Sequence, residues 1–234
     1  PDPDSVNHGC LKSTTPQFVT VKGGPGIDLK DTNLKLTDRD NIYDTASNRE
    51  CNLEMDPDAG NTIEFWFKEG GYIPSTASFA FFDLWNELPR TGSNHVRFLI
   101  EKVNESNLGL TYQIGSHDGL DKQLIPHTLS SSEWHHYAFS VKNESDHIRS
   151  RFYADGNLIK ETNSGAGSKI TASVTKENII AYIGAYRGMP HTASFSSSLW
   201  DGRGSVSASF DEFRFWKTER SAEDIYRYWF TNVE

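Results

Sequence analysis

The sequence predicts an all-β fold, a two-sheet antiparallel sandwich finished by one short C-terminal helix, and three observations lead there. From Asn61 onward, short aromatic and β-branched runs are separated by turn residues at the spacing of an antiparallel sandwich. Leu108, Leu110, Tyr112 and Ile114 fall on one side of a strand while Gly109, Thr111 and Gln113 fall on the other, a period of two that predicts one face in the core and one in water. Only the C-terminus reads as helix. There Ser221 can cap, Glu223 and Asp224 sit where the helix dipole favours anions, and Ile225, Tyr228 and Trp229 make one apolar stripe.

Taken in order, residues 1–60 are rich in Gly, Pro, Asn and Asp, with short apolar stretches at Phe18 to Val21 and Leu34 to Leu36. This segment is expected to be loops with one or two strands, packed on the sandwich. The opening Pro1-Asp2-Pro3-Asp4-Ser5 is neither a signal peptide nor an initiating Met, which points to a processed product or an excised segment. Strands are predicted at Thr62 to Lys68, Ser78 to Trp85, Val96 to Lys102, Leu108 to Ile114, Trp134 to Val141, Ile148 to Ala154, Leu158 to Thr162, Ile179 to Gly184 and Val206 to Trp216. Asp155-Gly156-Asn157 supplies residues tolerant of positive φ, so the strands on either side of it form a tight hairpin. No internal repeat, low-complexity tract or linker divides the chain after Asn61, so residues 61–234 are read as one unit and the whole as one domain.

Composition narrows the function. Only 36% of residues are apolar, but 14 Phe, 9 Tyr and 6 Trp provide the buriable area a core needs. A net charge of -9 with no local run of Lys or Arg repels a phosphate backbone, which argues against nucleic acid. No apolar stretch approaches the roughly 20 residues that span a bilayer, so membrane insertion by a helix is not expected. Cys10 and Cys51 are too few for a structural zinc site and are read either as a disulfide or as two free buried thiols.

Several runs resemble a known family. Asn61 to Lys68 (NTIEFWFK) is similar to the early aromatic strand of laminin-G-like domains, and Glu133 to Ser140 (EWHHYAFS) followed by Arg151 to Asn157 (RFYADGN) resembles their paired Trp-His strand and Tyr-x-Asp-Gly hairpin. Ile183-Gly184 comes next, and Ser209 to Trp216 (SFDEFRFW) with the segment Arg220 to Trp229 is similar to their closing strand and helix. The resemblance covers Asn61 to Phe230 and implies a concanavalin-A-like jelly roll. The ending, Phe213 to Arg220 and Tyr228 to Asn232, also resembles jelly-roll domains in structural proteins of tailed bacteriophages. Together these imply a non-enzymatic binding or assembly module on a virion or another extracellular surface, whose partners are neighbouring proteins or cell-surface glycans. A calcium-assisted glycan-binding lectin is the alternative, and a glycoside hydrolase is the third reading.

Hydrolysis needs two carboxyls about 5 to 10 Å apart, commonly from alternate positions of one strand. No such run occurs. The adjacent Asp211 and Glu212 are expected on opposite faces, in a structural role as acceptors for loop amides, and His135 and His136 are likewise neighbours that cannot readily share an ion. No catalytic residue is assigned. Calcium, which the resemblance implies at the sandwich rim, has candidate oxygen ligands in Asp118, Asp121 and Asp201. The long loop from Tyr186 to Arg203 carries Tyr186, Arg187, Phe195, Trp200 and Arg203, which either form a glycan or protein contact site or, for Phe195 and Trp200, tuck back into the core. Asn104-Glu-Ser106 and Asn143-Glu-Ser145 match the N-glycosylation sequon.

Overall fold

The structure, a computed structural model, describes residues 10–13, 17–21, 24–29, 34–37, 53, 55–70, 78–86, 92–116, 119–129, 133–171, 180–186, 206 and 208–230. It is the expected antiparallel sandwich. The strands run β1 (Cys10–Ser13), β2 (Gln17–Val21), β3 (Gly24–Leu29), β4 (Leu34–Thr37), β5 (Asn61–Glu69), β6 (Phe79–Trp85), β7 (Val96–Asn104), β8 (Asn107–Ile114), β9 (Gly119–Pro126), β10 (His135–Asn143), β11 (Ile148–Ala154), β12 (Asn157–Asn163), β13 (Ile180–Ile183) and β14 (Ala208–Trp216), followed by helix α1 (Ala222–Tyr228). Two seven-stranded sheets result, the first ordered β1-β4-β13-β6-β7-β8-β9 and the second β12-β11-β10-β5-β14-β3-β2.

Between the sheets lies an aromatic core. Phe65 and Phe67 of β5 meet Phe79 and Phe81 of β6, Tyr137 and Phe139 of β10 and Phe210 of β14, with ring centroids 5.0 to 6.4 Å apart for most of these pairs. Rings in stacked and edge-to-face contact at such distances add to the area they bury. The buried hydroxyl of Tyr112 donates to Asn61 Oδ1 at 2.8 Å, so its polar atom is satisfied inside the core.

The hairpin β11–β12 turns through Asp155 and Gly156, at φ 47° and 77°, the two positive values that a type I′ turn requires. The helix begins where predicted: the Ser221 hydroxyl accepts from the Asp224 amide at 3.0 Å, and Ile225 buries against Ala138 and Tyr153. Tyr228, however, is exposed and not part of the apolar stripe. A seven-residue helix offers one buried position per turn, and Ile225 takes it, with Trp229 half-buried beyond it. Beneath the helix, Glu64 is buried 3.4 Å from Arg220 and 3.6 Å from both Arg214 and the His136 ring.

Four differences from expectation have local causes. The segment before Asn61 contributes four short strands instead of one or two, because β13 and β14 offer ladder edges that β4 and β3 complete. β9 was not predicted, since its run GLDKQLIP is mixed in polarity, as suits the edge strand it forms. The second face of β8 is not wet, because Thr111 and Gln113 are buried along with the core side. Finally, β14 does not alternate regularly at Asp211 and Glu212: a bulge between Asp211 and Arg214 puts Glu212 at φ 49°.

Candidate functional site

The buried second face of β8 marks the site. On β7, Val96, Phe98 and Ile100 enter the core, so the intervening Arg97, Leu99 and Glu101 point to the outward face of the first sheet. The ladders set Trp85 of β6 and Gln113 of β8 beside Arg97, and Asp83 and Thr111 beside Leu99. Residues distant in sequence thus form one row across β6, β7 and β8.

That row is charged and closed from water. Arg97 grips Asp83 at two points, Nε to Oδ1 at 3.1 Å and Nη2 to Oδ2 at 2.7 Å, while its guanidinium lies 5.5 Å from the centroid of the Trp85 ring. Glu101 accepts from the Tyr186 hydroxyl at 2.6 Å and pairs with Lys122 Nζ at 2.7 Å. Gly109, opposite Glu101, makes room for this pair: a Cβ there would lie 3.0 Å from Glu101 Cγ and 3.1 Å from Lys122 Cε. Isolated, either buried carboxylate would carry a desolvation cost of several kcal/mol. Paired, they form a fixed pattern of charge. Burial, and then the neighbouring Glu101 charge, push the Tyr186 phenol well above its usual range, so it remains a neutral donor.

Of the expected contact residues, Tyr186 is thus buried on the outward face, packed with Ala80 and Leu99. It does not present its ring to solvent. Arg187, Phe195, Trp200 and Arg203 lie outside the described residues, as do Asp118, Asp201 and Cys51. Cys10 begins β1, opposite Thr37, with its side chain outside the description. Asp121 is exposed and accepts from Gln113 Nε2 at 2.8 Å. Among the described residues, no three His, Cys, Asp or Glu side chains gather as a metal site.

The two histidines separate as alternation requires. His135 Nδ1 lies 2.7 Å from Asp155 Oδ2, while His136 turns under the helix, its ring 5.7 Å from Trp66 and 6.3 Å from Trp229. Asp211 Oδ1 accepts from the Glu212 amide at 2.9 Å, and Glu212 Oε2 accepts from Arg214 at 2.9 Å, both bonds internal to the bulge. The residues that sequence reasoning missed are Asp83, Arg97, Glu101 and Lys122. For the first three the signal was present, charges inside otherwise apolar strands, FAFFDLW and VRFLIEK, whereas Lys122 lies in the mixed run GLDKQLIP.

Comparison with known proteins agrees with this architecture. The fold is similar to a Ruminococcus gnavus IT-sialidase CBM40, at 15% identity and TM-score 0.51, over 95% of this chain and 98% of that one. It is similar to the binding domain of botulinum neurotoxin DC, at 12% identity and TM-score 0.54, over 94% of this chain and 46% of that one. A tailspike protein from an Escherichia coli O157:H7 bacteriophage matches at 14% identity and TM-score 0.56, over 95% of this chain but only 27% of the tailspike. Among curated proteins, none matches the chain in sequence. The sequence pattern of the concanavalin A-like lectin/glucanases superfamily, in its laminin-G form, matches residues 44–226, and the chain belongs to that superfamily.

Proposed function

We propose that this chain is a non-enzymatic binding or assembly module of a virion or extracellular surface structure, and that a glycan is among its ligands. The observation that carries the reading is the state of the carboxylates on the outward face of β6 and β7. A glycosidase keeps one carboxyl ready to donate a proton and the other ready to attack or to activate water. Here Asp83 is clamped by Arg97, and Glu101 is held between Lys122 and Tyr186. Carboxylates neutralised in this way hold a surface in one shape, which suits recognition better than proton transfer. The braced row itself is closed from water, so the sugar contact is assigned to side chains beyond it, Trp200 first among them, whose ring can stack on a sugar face.

The fold relatives support the class of ligand and the setting. One is the carbohydrate-binding module of a sialidase, one is a toxin binding domain in complex with SialylT, and one is a phage tailspike. The test is an array of sialylated and neutral glycans with a parallel assay for released reducing ends. Binding without release, weakened about tenfold or more by Trp200→Ala, is expected from the loss of one stacking contact. Release of sugar that Asp83→Asn or Glu101→Gln abolishes would overturn the non-enzymatic reading.

Calcium assistance is the second reading, favoured by Asp121, an exposed carboxylate near the start of β9. Added calcium should then raise the thermal midpoint, and Asp121→Asn should remove the rise. A midpoint indifferent to calcium and to chelator would exclude it.

A further inference from the structure

At one end of the sandwich, the space between the sheets receives two charges that the fold leaves without a partner. β5 turns Ile63, Phe65 and Phe67 into the core, and Glu69 follows on the same face. β7 does the same with Val96, Phe98 and Ile100, and Lys102 follows. Both strands arrive at the same end. Lys102 stands opposite Phe79 in the first sheet, and the Phe79 ring meets Phe67 of the second sheet at 6.3 Å.

Glu69 is 9% exposed and Lys102 5%. Among the described residues, neither side chain forms an ion pair or a hydrogen bond, with the other or with anything else. They are nonetheless close enough to feel each other: burial raises the Glu69 carboxyl above its usual range, and the Lys102 charge works against that rise. The floor between them is aromatic. Lys102 Nζ lies 5.7 Å from the centroid of Phe79, and the Glu69 charge acts on the phenol of Tyr137, whose ring packs 6.4 Å from Phe67.

Elsewhere this protein pairs the charges it buries. Asp83 has Arg97, Glu101 has Lys122, and Glu219 has Arg149 and Arg151. Buried charges go unpaired at a cost, and a ring face under an ammonium replaces only part of its lost hydration. At this mouth the two charges are opposite in sign, held apart, and set over rings. A ligand of one sign would satisfy one and leave the other bare, and a neutral sugar would compensate neither. A molecule that carries an ammonium and a carboxylate a few carbon atoms apart matches both charges at once, with its carbon chain over the aromatic floor.

We infer that this inter-sheet mouth binds a small zwitterion of the amino-acid class, its carboxylate on Lys102 and its ammonium on Glu69. The site is separate from the braced row and from Trp200, and stands independently of glycan binding. Isothermal titration calorimetry with glycine, β-alanine and 4-aminobutyrate, three zwitterions of increasing charge separation, should show saturable one-site binding of at least one. Acetate, ethylamine and glucose should be silent at the same concentration and ionic strength. Lys102→Met, which keeps the contact with Phe79, and Glu69→Gln should each weaken the binding at least about 30-fold. Without ligand, both variants should melt no lower than the parent chain, because each removes a charge that has no partner. Silence from all three zwitterions would overturn the inference, as would binding that survives both substitutions. Acetate or ethylamine bound as tightly as the zwitterions would also overturn it, on the unaltered chain and so without regard to how the variants fold. A variant that melts far lower would show that its charge is already satisfied within the fold, and glucose binding lost in both variants would reassign the mouth to sugar; either result sinks the assignment.

Discussion

His127 lies edge-on to two aromatic rings, its centroid 5.5 Å from that of Tyr137 and 5.0 Å from that of Phe152, with His135 and Asp155 the charged groups that act on it. Burial lowers its pKa below 6.5 and repulsion from His135 lowers it further, against a smaller opposing effect of Asp155. The folded chain therefore resists protonating this ring, whereas the unfolded chain does not. Stability should be complete above the unfolded value near 6.5 and fall as pH drops toward the lowered folded value. Chemical denaturation at a series of pH values should show that loss, and His127→Phe should flatten it. The two sequons also part at this scale. Asn104 is exposed in the β7–β8 turn, whereas Asn143 is buried, donating to Asp58 Oδ1 and the Ile170 carbonyl at 2.9 Å each. Expressed through a eukaryotic secretory pathway, the chain should carry a glycan at Asn104 and none at Asn143, which peptide mass spectrometry would decide. Sequence shows both motifs alike, because the bonds that occupy Asn143 come from residues distant in the chain.

At the scale of elements, the β11–β12 hairpin was legible and its second duty was not. Asp155-Gly156-Asn157 announces the turn through its tolerance of positive φ, but nothing local says that Trp229 will pack on Gly156. Gly156→Ala should cost about 1–3 kcal/mol, from strain at φ 77° and the clash with the indole, read as a lowered denaturant midpoint. The β6–β7 pair gives a second case. Arg97→Ala leaves Asp83 buried without its clamp and should cost about 3–5 kcal/mol, while Asp83→Leu combined with Arg97→Met should restore most of the loss. If the single and double variants unfold at the same denaturant concentration, the pair is not what stabilises this face. The strand pattern placed β7 and β8 correctly, and alternation separated the two sides of β8. It could not show that the opposite sides of both are also buried, since cover on a sheet face comes from other parts of the chain.

For the whole molecule, the N-terminal strands carry more than their composition promised. β4 and β1 extend the first sheet from β13, and β3 and β2 extend the second from β14. The superfamily match begins at residue 44, after all four. Removing residues 1–37 should bare the edges of both sheets, lower the thermal midpoint by on the order of 10 °C and promote aggregation, as read by calorimetry and light scattering. A truncated chain as stable as the full one would show that these strands are accessory. By itself the sequence determined the all-β class, most strands after Asn61, the tight hairpin, the capped helix and the superfamily, because alternation, turn chemistry and capping are written within a few residues of where they act. Only the tertiary structure decided that Gly- and Pro-rich segments complete both sheets and that Asp83, Arg97, Glu101, Lys122 and Tyr186 converge. Each of these depends on ladder register and on layers packed from distant segments, and a shift of one residue in register would turn every such side chain to the other face.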